Sequence, residues 1–268
     1  MSGFLAYAFV QRALAVGTLL AVTCAVLSFF VVLKRMSFVG VGLSHAALGG
    51  VALGVVLGVP PLLAAALFTV GVAWVIGWMR GRSEVSEDTA IGVFFPTAMA
   101  LGVVLISLSP TYRQDLMAYL FGNILSVRQG EVLPLAALSA VSLGLVGWWF
   151  KELLFLGVDE EAALAAGVPT RTLRFLLLTL LAVTIVASVR LVGIVLVSAF
   201  LVIPAATGQA LARSLRGMLA LAVASAVASV VLGLWLSWAW DIPSGAAIVL
   251  ASATLFFAAL ALGSRRRS

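Results

Sequence analysis

Few residues in this chain can do chemistry, and they stand far apart. His45 is the one histidine and Cys24 the one cysteine among 268 residues. An imidazole is a borderline nitrogen ligand suited to zinc or manganese, yet one per chain makes a transient site and no cage. A single cysteine forms no internal disulfide and no thiolate cluster, and its place in an apolar run points to packing. The acids, among them Glu87-Asp88 and Asp159-Glu160-Glu161, lie near the ends of apolar runs. No carboxylate inside a run is available for acid–base catalysis or to carry a coupling ion. No Gly-x-x-x-x-Gly-Lys-Ser/Thr occurs, so any ATP must be hydrolysed by another chain. Brief coordination of a divalent cation, without bond-making, is one chemistry open to His45. The competing assignment for that imidazole is structural, bonded to a backbone carbonyl or a serine inside a packed core.

The elements that must position these groups are membrane helices. Hydrophobic residues make up 63% of the chain and charged ones 10%, with a mean hydropathy of +1.23; a soluble domain is about half apolar and about a quarter charged. Residues 36–79 contain no Asp, Glu, Lys or Arg, enough for two crossings of a hydrocarbon core about 30 Å thick. Charge-free runs predict crossings near 13–33, 38–58, 61–79, 89–109, 131–150, 173–189, 191–209, 217–238 and 244–263. The expected fold is an all-α polytopic membrane protein of about nine helices, with eight possible because the first run starts indistinctly and the pair around Arg190 is short. The runs do not alternate, which excludes an outer-membrane barrel. The first run has no short basic segment or cleavage site and reads as a retained span. One integral-membrane domain, 1–268, is the economical description.

The net charge of +6 does not indicate nucleic acid, because the basic residues cap apolar runs and form no polar face. Lys34, Arg35, Arg80, Arg82, Lys151, Arg171, Arg174, Arg213, Arg216 and Arg265–Arg267 fall on one side. Only Arg12, Arg113, Arg128 and Arg190 fall on the other. The richer side is cytoplasmic by this rule, which puts the C-terminus and the loop 151–174 inside a cell (inner or plasma) membrane and the N-terminus outside.

That loop is too polar and too long to be a plain connector. Asp159, Glu160 and Glu161 precede Ala162–Ala166, placing acids in the first turn of a short helix where its dipole favours them. Gly167 then ends the helix, with Pro169 two residues on. The result is a helix–glycine–turn hook projecting from the cytoplasmic face. The run Glu161-Ala162-Ala163-Leu164-Ala165-Ala166-Gly167 resembles the coupling loop of bacterial ABC-transporter permeases; the plain alternative is an amphipathic connector. Small alanines permit close approach, glycine allows the sharp return, and the acids can pair with basic groups across an interface.

Other blocks resemble the zinc/manganese ABC permease family over nearly the whole chain. They are Arg35-Met36-Ser37-Phe38 leading into Ser44-His45-Ala46, Glu87-Asp88-Thr89-Ala90-Ile91-Gly92, Leu120-Phe121-Gly122-Asn123-Ile124-Leu125, Val192–Val197 through Pro204-Ala205-Ala206, and Asp241-Ile242-Pro243-Ser244-Gly245. The resemblance implies a homodimeric permease, two ATP-binding-cassette ATPase subunits carrying ATP and magnesium, and an extracytoplasmic protein that delivers the metal. The chain itself would hold no cofactor, the divalent metal being substrate. One departure stands out: the family carries Asp four residues before this His, and Val41 occupies that place, leaving the imidazole without a carboxylate on its helix face. A cobalamin or iron-chelate permease is the runner-up, and an ion-coupled secondary transporter a more distant third.

His45 lies eleven residues past Lys34, about 16 Å along a helix and close to mid-membrane. Gly50, Gly54 and Gly58 form a stripe suited to close helix packing, roughly half a turn from the imidazole. If that seam packs within the subunit, His45 faces a second surface, and a central pathway between two copies is the expectation favoured by the resemblance. Glu87 and Asp88 open the fourth span; helix-dipole complementation is their leading role and an exit site the alternative. Pro204 should interrupt an apolar helix, as a static kink or as a moving gate. Asp241, Pro243 and Gly245 should shape an outward-facing turn where the delivering protein could bind.

Overall fold

In bilayer hydrocarbon every backbone N–H and C=O must be satisfied within the protein, which leaves helices as the spanning form for non-alternating apolar runs. The computed structural model describes residues 7–79, 87–107, 122 and 124–264, and every regular element among them is helical. In chain order these are α1 (Ala8–Leu33), α2 (Ser37–Leu57), α3 (Pro61–Met79), α4 (Glu87–Ser107), a 3-10 turn (Ile124–Ser126), α5 (Gln129–Trp148), α6 (Phe150–Val158), α7 (Glu160–Ala165), α8 (Thr170–Phe200), α9 (Ile203–Leu211), α10 (Leu215–Trp240) and α11 (Ser244–Ser264). Eight segments among the described residues are long and apolar enough to span, and Thr89–Leu105 within α4 is a shorter ninth. The ambiguity between eight and nine therefore falls on α4. It does not fall on α1 or on the Arg190 pair, where the sequence placed it.

Many side-chain hydroxyls inside the spans bond back to their own helix. Ser44 Oγ donates to the Gly40 carbonyl at 2.7 Å, Ser188 Oγ to Thr184 at 2.6 Å, and Thr207 Oγ1 to Ile203 at 2.8 Å. Each is an i to i−4 bond that keeps a polar group satisfied without a neighbour.

Burial separates an inner from an outer set. The apolar windows of α1, α2, the first limb of α8, and the second limb with α9 are 67%, 72%, 61% and 67% buried, against 33% or less for α3, α5, α10 and α11. The inner helices form the scaffold, and the outer ones present Leu, Val and Trp outward. Exposed Trp74 and Trp78 near the end of α3 and Trp148 at the end of α5 sit at one end of the bundle. Trp235, Trp238 and Trp240 near the end of α10 sit at the other. Such girdles suit the two water–lipid boundaries.

α8 doubles back on itself. Arg174 in its first turn pairs with Glu160, which also meets Lys34 at the end of α1. Leu201, immediately past its far end, packs on Gly40 in the first turn of α2, just beyond Lys34. Thr170–Val189 and Leu191–Leu211 are each long and apolar enough to cross, so the segment holds one span and begins a second, which α9 completes, with the reversal at Gly193. There φ is +81° and ψ 159°, a conformation reserved for glycine. The two crossings expected on either side of Arg190 are both present, with the reversal three residues later. Gly122 sits against this turn so closely that a Cβ on it would lie 2.3 Å from the Gly193 nitrogen.

Candidate functional site

The helix bearing His45 is gripped on two faces by glycine contacts. Gly50 and Gly54 meet α3, where an added Cβ would come within 2.6 Å of Ala65 Cα and 2.8 Å of Ala64 Cβ. Gly42 and Gly49 meet α4, with Ile91 and the Ala98 carbonyl at 2.7 and 2.8 Å from such a Cβ. The expected seam is therefore internal to the subunit, through Gly50 and Gly54. Gly58 is not part of it. That residue lies past the last turn of α2 at φ +67° with open space around it, because a left-handed cap is what the helix end requires there.

With the seam against α3, His45 turns toward α4 and is half-buried. Its Nδ1 lies 2.9 Å from the Val41 carbonyl oxygen. A carbonyl only accepts, so Nδ1 carries the proton and Nε2 keeps a free lone pair in the neutral ring. The ring stands edge to face with Phe95 of α4, centroids 4.5 Å apart at 84°. Val41 thus contributes through its backbone, by fixing the tautomer. One carbonyl bond satisfies one ring nitrogen, and the other is left available to a ligand. Among the described residues no group of three or more His, Cys, Asp or Glu side chains converges on a possible metal position.

Phe95 gave no signal in the sequence, and neither did its neighbour Pro96, which lies inside α4 and offers no N–H to the preceding turn. The backbone of Glu87 and Asp88 begins α4, but their side chains lie outside the described residues. Pro204 differs from expectation. α8 ends at Phe200, the chain breaks at Leu201–Val202, and Pro204 occupies the first turn of the new helix α9. In that position its missing N–H is no loss. The break is sealed by Ser28 of α1, whose Oγ accepts from the Ala205 N–H at 3.3 Å. Asp241 adopts the left-handed conformation, φ +51°, to end α10, and Ser237 Oγ donates to the Ile242 carbonyl at 2.7 Å, so the expected turn before Pro243 and Gly245 is built.

At the other end of the bundle, α6 and α7 form the hook. The Asp159 carboxylate accepts from the Ala162 N–H at 2.9 Å and caps α7. Gly167, at φ +81°, closes it: the Gly167 N–H bonds to the Leu164 carbonyl and the Val168 N–H to the Ala163 carbonyl, both at 3.0 Å. This pair of bonds is a Schellman closure. Ala163 is buried and Ala162 half-buried, while Glu161, Leu164, Ala165 and Ala166 are exposed. Val158 and Leu164, 63% and 65% exposed, give the hook an apolar outward face. The acids divide: Asp159 caps the helix, Glu161 is open to solvent, and Glu160 is engaged inside the chain by Lys34 at 3.7 Å and by Arg174. In the sequence Lys34 and Arg174 stand only as topology charges, since nothing in a linear sequence ties residues 34 and 174 to 160. Beside them Lys34, Arg35, Leu156, Val158 and Leu215 line an open depression of about 530 Å³.

Residues 6–263 match the family described as the ABC 3 transport family. The chain is 35% identical over 259 residues to a manganese transport system membrane protein, MntC, of Listeria monocytogenes, covering 97% of this chain and 92% of that one. It is 35% identical over 248 residues to the high-affinity zinc uptake system membrane protein ZnuB of Haemophilus influenzae, covering 92% and 95%. Among solved structures, a chain of PsaBC from Streptococcus pneumoniae in complex with Fab is similar with a TM-score of 0.84 and 34% identity, over 96% of this chain and 93% of that one.

Proposed function

We propose, from the premise that this chain belongs to the ABC 3 transport family, that it is the membrane-spanning permease of an ATP-binding-cassette importer for a divalent transition-metal ion. Manganese, zinc and iron are the candidates, since relatives matched along nearly the whole chain carry those names. It is a multi-pass protein of the plasma membrane and one integral unit. Energy comes from two separate ATPase subunits holding ATP and magnesium, and an extracytoplasmic protein delivers the metal. The observation that carries this reading is the pairing, in one chain, of a capped and protruding hook at one end of the bundle with a lone imidazole in mid-span whose Nε2 is free to ligate.

The mechanism uses these two parts in series. A second copy of the chain places a second His45 across a shared pathway, so each subunit supplies one neutral nitrogen and the site stays weak enough to release its cargo. Phe95 shields the ring from lipid and limits its rotation. Nucleotide-driven closure of the ATPases moves the two hooks, and Asp159, Glu161, Ala162 and Gly167 form the docking element, seated on buried Ala163 and on the same cytoplasmic side as the C-terminus. The break at Leu201–Pro204 is the place where the inner helices can bend as the pathway changes its opening. Glu87 and Asp88, at the inner end of α4, are the exit-side acids.

Reconstitution with the neighbouring ATPase tests this directly. ATP-dependent uptake of radioactive manganese, zinc or iron into vesicles is expected, with a selectivity order readable from the three isotopes. Uptake at full rate in vesicles lacking any ATPase would sink the reading.

A further inference from the structure

Three joints fasten the hook to the end of α1. Phe150, the first residue of α6, stacks on Phe29 and meets Phe30 edge-on, with ring centroids 6.4 and 5.7 Å apart. Gly157 lies against Leu33 so tightly that a Cβ would be 2.7 Å from Leu33 Cδ2. Glu160, the first residue of α7, then pairs with Lys34, the residue that caps α1, and with Arg174 on α8. The Lys34 and Arg174 side chains are only 3% and 13% exposed. One carboxylate thus meets two cations that are largely withdrawn from water, where ionic contacts are less screened than at an open surface.

The turn after Lys34 makes this arrangement more than an anchor. Arg35 takes a left-handed φ of +57°, the Met36 N–H bonds back to the Val31 carbonyl at 2.9 Å, and α2 begins at Ser37. There is no slack: a capped end of α1 runs within three residues into the helix that carries His45. A displacement of α7 that keeps Glu160 on Lys34 therefore displaces the start of α2. The apolar joints at Phe150 and Gly157 lie on α6, whereas the ionic joint is directional and sits on α7 itself.

We propose that Glu160 is the positioning residue through which hook movement reaches α2 and the His45 site, its carboxylate linking α7 to the α1–α2 turn and to α8 and not to the ATPase. The inference rests on the importer reading for its transport arm, and its second arm does not need that reading. In the complete complex in proteoliposomes, metal transported per ATP hydrolysed is measured for wild type, Glu160→Gln, Lys34→Met and the double variant. Each single change should lower the ratio roughly fivefold while ATP hydrolysis continues, and the double should be no lower than Glu160→Gln alone, as for residues acting through one contact. An unchanged ratio in Glu160→Gln overturns the proposal. So does a parallel fall of transport and hydrolysis, which a merely structural role would give, or a double variant equal to the product of the singles. In the second arm the permease alone, in nanodiscs, is followed by hydrogen–deuterium exchange. Glu160→Gln should speed exchange in residues 33–40 together with 159–166, and acceleration confined to the hook overturns the tie. Failure of the wild-type complex to move metal with ATP would count against the importer, leaving the exchange result to decide the tie.

Discussion

The hook and the His45 helix are built by opposite means. α7 is only six residues long and is held mainly by local polar chemistry, a carboxylate on the N–H of its third residue and a glycine at φ +81° after its last turn, with one acid reaching out to cations on α1 and α8. α2 has no side-chain cap, and its position is set by glycines that bring α3 and α4 within backbone distance on two faces. The first region can move as a small rigid piece because its caps are internal, and its joints to α1 and α8 pass that movement on. The second cannot shift without α3 and α4, so it is the part that a force has to be delivered to. A machine that separates engine from pathway needs both.

The widest expected separation between the two regions comes from filling the α2–α3 seam. In Gly54→Leu the new Cβ meets Ala64 Cβ at 2.8 Å and Pro61 Cα at 2.9 Å, with the rest of the side chain still to be placed. Overpacking of this kind costs about 1–3 kcal/mol or more. Loss of the folded permease is expected, read as aggregation and a collapse of thermal stability in detergent. A stable Gly54→Leu protein with normal uptake would show that α2 is not gripped as described.

On the opposite face of the same helix the outcome should reverse. His45→Ala removes the free nitrogen and the contact with Phe95 from a half-buried position, so folding should survive while ATP-driven metal uptake falls more than about tenfold, the scale set by losing a ligand-shell group. Uptake at the wild-type rate would assign the imidazole to packing alone. Together these two variants divide α2 into a structural face and a functional one.

How far each region could be read in advance depends on the range of the forces. Asp159, Gly167 and Pro169 act over four or five residues, so their spacing alone announced a capped helix and a sharp return, and the structure moves its start only to Glu160. The spans were legible for the same reason, since hydropathy is a local sum. The side of α2 that faces α4, the cover supplied by Phe95, the doubling back at Gly193 and the pairing of 160 with 34 and 174 all depend on which apolar surfaces meet, and an apolar stretch looks alike on every side. Pro204 shows the limit within one residue. Proline indicated a break, but its place in the first turn of α9 comes from the reversal of α8 and from Ser28, far off in sequence.

At the hook, Gly167→Val should have a smaller, purely local effect. Nothing lies within 4 Å of the added Cβ, so the whole cost is conformational: a β-branched residue in the left-handed region, about 1–2 kcal/mol. The Schellman bonds should open, and in the complete complex ATP hydrolysis should lose its dependence on metal while the permease keeps its melting temperature within a few degrees. An intact complex with normal coupling would remove Gly167 from the docking element.

The smallest effect belongs to the cap at the other end of the same helix. Asp159→Ala deletes the acceptor for the Ala162 N–H, worth about 1 kcal/mol of helix stability, but leaves Glu160 on its cations and the Schellman closure in place. Faster hydrogen exchange at residues 160–163, with little change at 33–40, is the expected result. That pattern distinguishes a fray in the docking helix from a break in the tie, because only loss of the Glu160 carboxylate should loosen the turn into α2. If Asp159→Ala loosened that turn as much as Glu160→Gln, the hook would be transmitting through its overall rigidity and not through one side chain. The contrast between a self-contained hook and a gripped pathway helix would then need a different joint, at Phe150 or Gly157.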